Sequence, residues 1–142
     1  MAGILLSDSA TTKLKTLNLS SSSTKKLSGV IDTSSFTNLI EVKLNSLGIT
    51  EFKGNNNLQT LELDDNELLT YPVLSGFNNL VILKFSNENR LTNPLPTLSS
   101  LDTLKELQFT NCTNISGTLP DLKFFPFLTF ADFRSCKFSG DI

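Results

Sequence analysis

Leu58-Gln59-Thr60-Leu61-Glu62-Leu63-Asp64-Asp65-Asn66-Glu67-Leu68 spaces its leucines as L-x-x-L-x-L-x-x-N-x-L, and that spacing returns along the chain. Related frames open at Leu14, Leu39, Leu80, Leu104 and Leu128, so the successive steps from Leu14 are 25, 19, 22, 24 and 24 residues. A period of roughly 20–50 residues marks a solenoid, because each repeat is a unit that buries its apolar side only by stacking on its neighbours.

The frames define inward-facing trios. They are Leu14, Leu17 and Leu19; Leu39, Val42 and Leu44; Leu58, Leu61 and Leu63; Leu80, Leu83 and Phe85; Leu104, Leu107 and Phe109; Leu128, Ala131 and Phe133. The last two members of each trio stand two residues apart, as a short strand with alternate side chains turned inward requires. One strand per coil predicts a parallel sheet along a concave side. Pro72-Val73-Leu74, Pro96-Thr97-Leu98 and Pro120-Asp121-Leu122 recur on the return path, where proline favours extended or turning backbone. Phe36, Phe77, Leu101 and Phe125 form a second apolar column under a mostly irregular or short-helical convex side, and Asn55 interrupts it.

Three further stretches carry a family pattern of the form L-x-G-x-I/L: Leu27-Ser28-Gly29-Val30-Ile31, Ile115-Ser116-Gly117-Thr118-Leu119-Pro120 and Phe138-Ser139-Gly140-Asp141-Ile142. With the frames, they make the chain resemble the leucine-rich repeat family, the last two coils its plant-type class of roughly 24 residues. The resemblance covers Leu14 to Ile142. It implies a single solenoid domain over 1–142, with a capping segment at 1–13 and about six coils over 14–142, the last incomplete. The family's asparagine site is clear at Asn66 and is reached at Asn89 by a one-residue insertion. Cys112, Cys136, Ser22 and Leu47 take it elsewhere. A patchy asparagine ladder predicts uneven curvature, with the second-to-third step the least regular.

Composition narrows the function. The net charge is −2, from 12 Lys+Arg against 14 Asp+Glu, and the charges are scattered, so no basic field gathers phosphates and nucleic acid is not an expected partner. No run approaches the ~18 apolar residues of a membrane helix, so membrane insertion is not expected. Met1 to Leu6 is apolar, but it lacks the cationic stretch and the length of a secretory signal, and the sequence assigns no compartment.

The chain has no His and no glycine-rich phosphate loop, which points away from an enzyme and from any cofactor. Glu62, Asp64, Asp65 and Glu67 are the one acidic cluster, but strand geometry sends Asp64 and Asp65 apart, so it reads as a solvated patch and not a metal site. Cys112 and Cys136 share one register and are expected as stacked, reduced thiols.

Two surfaces remain as candidate sites. The concave face offers Lys43, Glu62, Asp64, Ile82, Lys84, Gln108, Phe130, Asp132 and Arg134. Its Lys43–Glu62–Lys84 section alternates in sign, and Phe130 is the best apolar anchor. The second surface is an end: the sequence stops at Ile142 partway through the sixth coil, which predicts an open apolar face at Phe133, Phe138 and Ile142 for a protein partner or for self-association. The expected function is non-catalytic recognition or assembly, as in a structural subunit of a virion, fibre or surface layer. The alternative is a ligand-binding fragment of a receptor-type or secreted repeat protein.

Overall fold

A computed structural model describes residues 11–21, 27–92, 94–96, 98 and 100–140. The expected capping residues 1–10, the insertion at 22–26 with Ser22, and Ile142 lie outside them. The backbone winds as a parallel-strand β-solenoid of about five turns. Its strands are β1 (Thr16–Ser20), β2 (Gly29–Asp32), β3 (Glu41–Asn45), β4 (Ile49–Lys53), β5 (Thr60–Asp64), β6 (Ile82–Ser86), β7 (Glu106–Thr110), β8 (Ser116–Thr118), β9 (Phe130–Asp132) and β10 (Lys137–Ser139). Helix is limited, among the described residues, to single 3₁₀ turns at Leu74–Gly76 and Leu122–Phe124. No helix among them is long and apolar enough to cross a membrane.

The main sheet has six strands in the order β1-β3-β5-β6-β7-β9, all parallel. Its register aligns the trios: Leu17, Val42, Leu61, Leu83, Leu107 and Ala131 form one column, and Leu19, Leu44, Leu63, Phe85 and Phe109 the next. From Val42 to Leu107 in the first column and from Leu44 to Phe109 in the second, every side chain is fully buried. Each such burial stabilises by about 1.5–3 kcal/mol. Phe36, Phe77, Leu101 and Phe125 line the opposite wall, all at most 5% exposed. Asn55 interrupts that wall without an unmet polar group: its amide donates to the carbonyls of Phe36 and Leu39 at 2.7 and 3.0 Å, and its Oδ1 accepts from Asn57 N–H at 2.6 Å.

After each inner strand from β3 to β9 the chain turns through one left-handed residue: Ser46, Asp65, Asn87, Asn111 and Ser135, with φ between 53° and 58°. Short polar side chains tolerate that conformation best. The turn aims the N–H of Ser46, Asp65 and Asn87 at the last carbonyl of the next coil's strand, and that of Asn111 at Arg134 just past β9, at 2.8 to 3.0 Å.

Just beyond lies the asparagine site. Asn66 Oδ1 accepts from Leu47 and Ile49 N–H at 3.1 and 3.4 Å, and its amide donates to Leu44 and Asp64 carbonyls at 2.9 and 3.2 Å. In the next coil the sequence reading is corrected: Glu88, not Asn89, holds the equivalent place. Its two carboxyl oxygens accept from Asn66 and Leu68 N–H at 3.0 and 3.3 Å, and it is fully buried. No residue has to be skipped, because Glu88 lies two residues beyond β6, as Asn66 lies two beyond β5. Asn89 instead sits outside, accepting from Thr113 and donating nothing across the core.

Cys112 and Cys136 repeat the donor half of the asparagine role. Cys112 Sγ–H reaches the carbonyls of Phe85 and Thr110, and Cys136 Sγ–H those of Phe109 and Arg134, at 3.1 to 3.8 Å. Both thiols are free. The expected irregularity between second and third coils is not where the ladder falters. β3 and β5 keep five residue pairs; the register shift lies between Gly29 and Val30 of the β2–β4 pair, and β7–β9 shortens to three pairs. Asn66→Ala should cost about 2 kcal/mol, since it strands two buried N–H groups, and urea unfolding would measure it.

The L-x-G stretches supply β2, β8 and β10 of two side pairs, β2–β4 and β8–β10, also parallel. Gly117, the middle residue of β8, has φ 111°, and a Cβ there would come within 3.3 Å of Pro94, so only glycine takes that place without strain.

Candidate recognition surface

Alternation on the inner strands that sends leucines inward sends Asn18, Lys43, Glu62, Lys84, Gln108 and Asp132 outward as one aligned column. Strands about 4.8 Å apart put successive members within reach of each other. Sign alternation is met at Lys43 and Glu62 but not at the next step. Lys43 Nζ bridges to Glu62 Oε1 at 3.4 Å, but Glu62 goes no further along the column. Gln108 donates to Glu106 on its own strand. Asp132 is forked by Arg134 at 2.7 to 3.0 Å, and these bonds hold its carboxyl below the usual carboxylate range. Lys84, at the middle of the column, forms no salt bridge among the described residues.

The flanking columns are largely satisfied as well. Asp64 accepts from the Asn87 amide at 2.8 Å, and the Thr110 hydroxyl donates to that of Ser86 at 3.0 Å. Ile82 is partly covered beside Lys84, whereas Phe130 is 49% exposed on the outermost strand. The acidic cluster disperses: Glu62 goes to Lys43, Asp65 to the Ser46 hydroxyl at 2.9 Å, and Glu67 to Arg90 at 3.4 Å. Among the described residues no group of three or more His, Cys, Asp or Glu side chains could hold a metal ion.

Comparison with protein-family models, curated proteins and solved structures finds no match.

The end beyond β9 is the second candidate. Ala131 is exposed where its register partner Leu107 is fully buried. Phe133 stacks on Phe109 with centroids 6.4 Å apart, and Phe138 meets Phe133 edge-on at 5.6 Å, so the aromatic core runs out to this surface. A hollow of about 550 Å³ opens there, bounded by Leu119, Pro120, Leu122, Ala131 and Phe133. Two exposed phenylalanines of the same coil, neither of them lining this hollow, escaped the sequence reading: Phe124 and Phe127. So did a second side-chain ladder, in which the amides of Asn57 and Asn79 and the hydroxyl of Thr103 each donate to a carbonyl of the preceding coil. The signal was present in the residue before each frame: Asn38, Asn57, Asn79 and Thr103, and then Phe127.

Proposed function

We propose that this chain is a leucine-rich repeat solenoid of six coils and serves as a non-catalytic recognition or assembly module, contacting a protein partner through the outer, concave face of its sheet. In support of the family reading, the trios beginning at Leu39, Leu58, Leu80, Leu104 and Leu128 belong to strands that are parallel neighbours in one register. The observation that carries the functional reading is Lys84. It is a cation that forms no salt bridge among the described residues, in a column where Lys43 is paired with Glu62 and Asp132 with Arg134, and Ile82 stands two residues before it on the same side. A carboxylate beside an apolar side chain is the complementary chemistry. An exposed ion pair is worth ~0–1 kcal/mol, but one desolvated under a partner is worth more.

Peptides selected from a random library against the immobilised protein test this. The reading expects winners that carry Asp or Glu next to an apolar residue and shift the amide resonances of Ile82–Ser86. Lys84→Glu should weaken them at least tenfold while changing stability by less than about 0.5 kcal/mol. Winners indifferent to Lys84→Glu, or mapping away from β5–β7, would overturn the assignment.

A further inference from the structure

We propose that Cys112 and Cys136 form a redox site, two stacked thiols that hydrogen peroxide converts into a disulfide stapling the β7 coil to the β9 coil. This goes beyond the recognition face and stands whether or not Lys84 binds a partner. The two cysteines are consecutive rungs of one ladder. Cys112 lies two residues beyond β7, as Asn66 lies two beyond β5 and Glu88 two beyond β6. Gln108 is the register partner of Asp132, and the alignment continues past the strands, where Asn111 N–H donates to the Arg134 carbonyl at 2.9 Å. Cys136 therefore faces Cys112 from the next coil. Their side chains also point the same way. Cys112 Sγ–H meets the carbonyls of Phe85 and Thr110, and Cys136 Sγ–H those of Phe109 and Arg134, at the same separations of 27 and 2 residues.

That placement meets the backbone demand of a disulfide. Coils ~4.8 Å apart put the Cα atoms of neighbouring rungs inside the ~4.4–6.8 Å over which cysteines bridge. The Cβ atoms must close by about 1 Å, to about 3.8 Å, while each χ1 turns its sulfur from a carbonyl toward the other sulfur. Little is lost by that turn, because the Thr110 and Arg134 carbonyls keep the N–H groups of Asn87 and Asn111. The ladder also sets the order of events. The Cys136 sulfur accepts from the N–H and the thiol of Cys112, whereas Cys112 is fully buried. The Cys136 thiolate therefore attacks first: an S–O bond forms, the O–O bond of the peroxide breaks, and hydroxide leaves to become water. Cys112 then gives up its proton and attacks the Cys136 sulfur, so the S–S bond forms, the S–O bond breaks and a second water leaves. Two thiols are oxidised and one peroxide is reduced. Burial pushes both thiols up, Cys112 to about 12; Glu88 faces Cys112, Asp132 faces Cys136, and Tyr71 lies near both. The pair thus rests reduced at neutral pH, and the bond forms faster as pH rises.

Non-reducing peptide maps of the full chain, treated with millimolar hydrogen peroxide at pH 7 and at pH 9, test the proposal. One linked peptide should join Cys112 to Cys136, lighter by two hydrogens than its parts. Its rate of formation should be several-fold higher at pH 9 and independent of protein concentration. The stapled chain should melt about 5–10 °C above the reduced one, because the closed loop restrains the unfolded chain, and dithiothreitol should reverse the gain. Cys136→Ser, whose hydroxyl can still donate to the Phe109 carbonyl, should show no gain. Thiols that stay free at both pH values, oxygen added at either sulfur with no linked peptide, or chains linked to one another would each overturn the proposal. A linked chain whose Tm is unchanged or lower would do the same, by showing that the folded coils do not hold the two sulfurs where the bond needs them.

Discussion

Phe109→Ala is expected to lower the unfolding free energy by about 3–5 kcal/mol. The ring is fully buried and meets three others, with centroids 5.2 Å from Phe85, 6.4 Å from Tyr71 and 6.4 Å from Phe133. Truncation therefore removes the transfer free energy of one large side chain and opens a cavity that the stacked neighbours cannot close without leaving their strand register. Phe109→Leu keeps most of the volume and should cost far less. Because coils contact only their neighbours, the loss should be uneven along the chain. Hydrogen exchange would accelerate in β6, β7 and β9, while amides of β3 keep their protection. A uniform loss, or a midpoint in urea unmoved by the substitution, would show that Phe109 does not hold the column together.

The second large effect is a pH dependence. Burial pushes the Glu88 carboxyl up to about 7, against the opposing pull of the two backbone N–H groups it accepts, and the nearby Asp64 charge pushes the same way as burial. An ordinary glutamate loses its proton near 4.5. Between those values the folded chain keeps a proton that the unfolded chain has released, so the folded state binds more protons and stability falls as pH rises. The fall should begin near the lower value, flatten above the higher one, and total on the order of 3 kcal/mol. The window is unusually clean, for the chain contains no histidine. Urea midpoints from pH 4.5 to 8 would trace the slope, and Glu88→Gln should abolish it. A slope surviving in Glu88→Gln belongs to some other group.

Glu88 also marks where the sequence stops being legible. The leucine trios could be read because burial demands apolar side chains at a fixed spacing, and nothing else in the chain competes for that pattern. The ladder residue after β6 could not, since Asn89 has the right chemistry one place late while Glu88 has the right place with a side chain that rarely survives burial. Only the hydrogen bonds to Asn66 and Leu68 distinguish them. The face column was legible in membership but not in partnership. Sequence places Lys43, Glu62 and Lys84 in line, yet which cation the carboxylate takes depends on rotamers, and Glu62 takes Lys43. Phe124 and Phe127 stand out only when compared with the small and polar residues that occupy the same columns in earlier coils.

The left-handed residue that follows each inner strand from β3 onward has a consequence for how this surface can change. Steps between frames range from 19 to 25 residues, yet β1, β3, β5, β6 and β7 join through five aligned pairs at every boundary. Differences in length are absorbed elsewhere on the loop, so the pitch of the outward array is set by backbone spacing alone. Any row of that array can be rewritten, even with a longer loop behind it, while the rows above and below keep their distance and their aim.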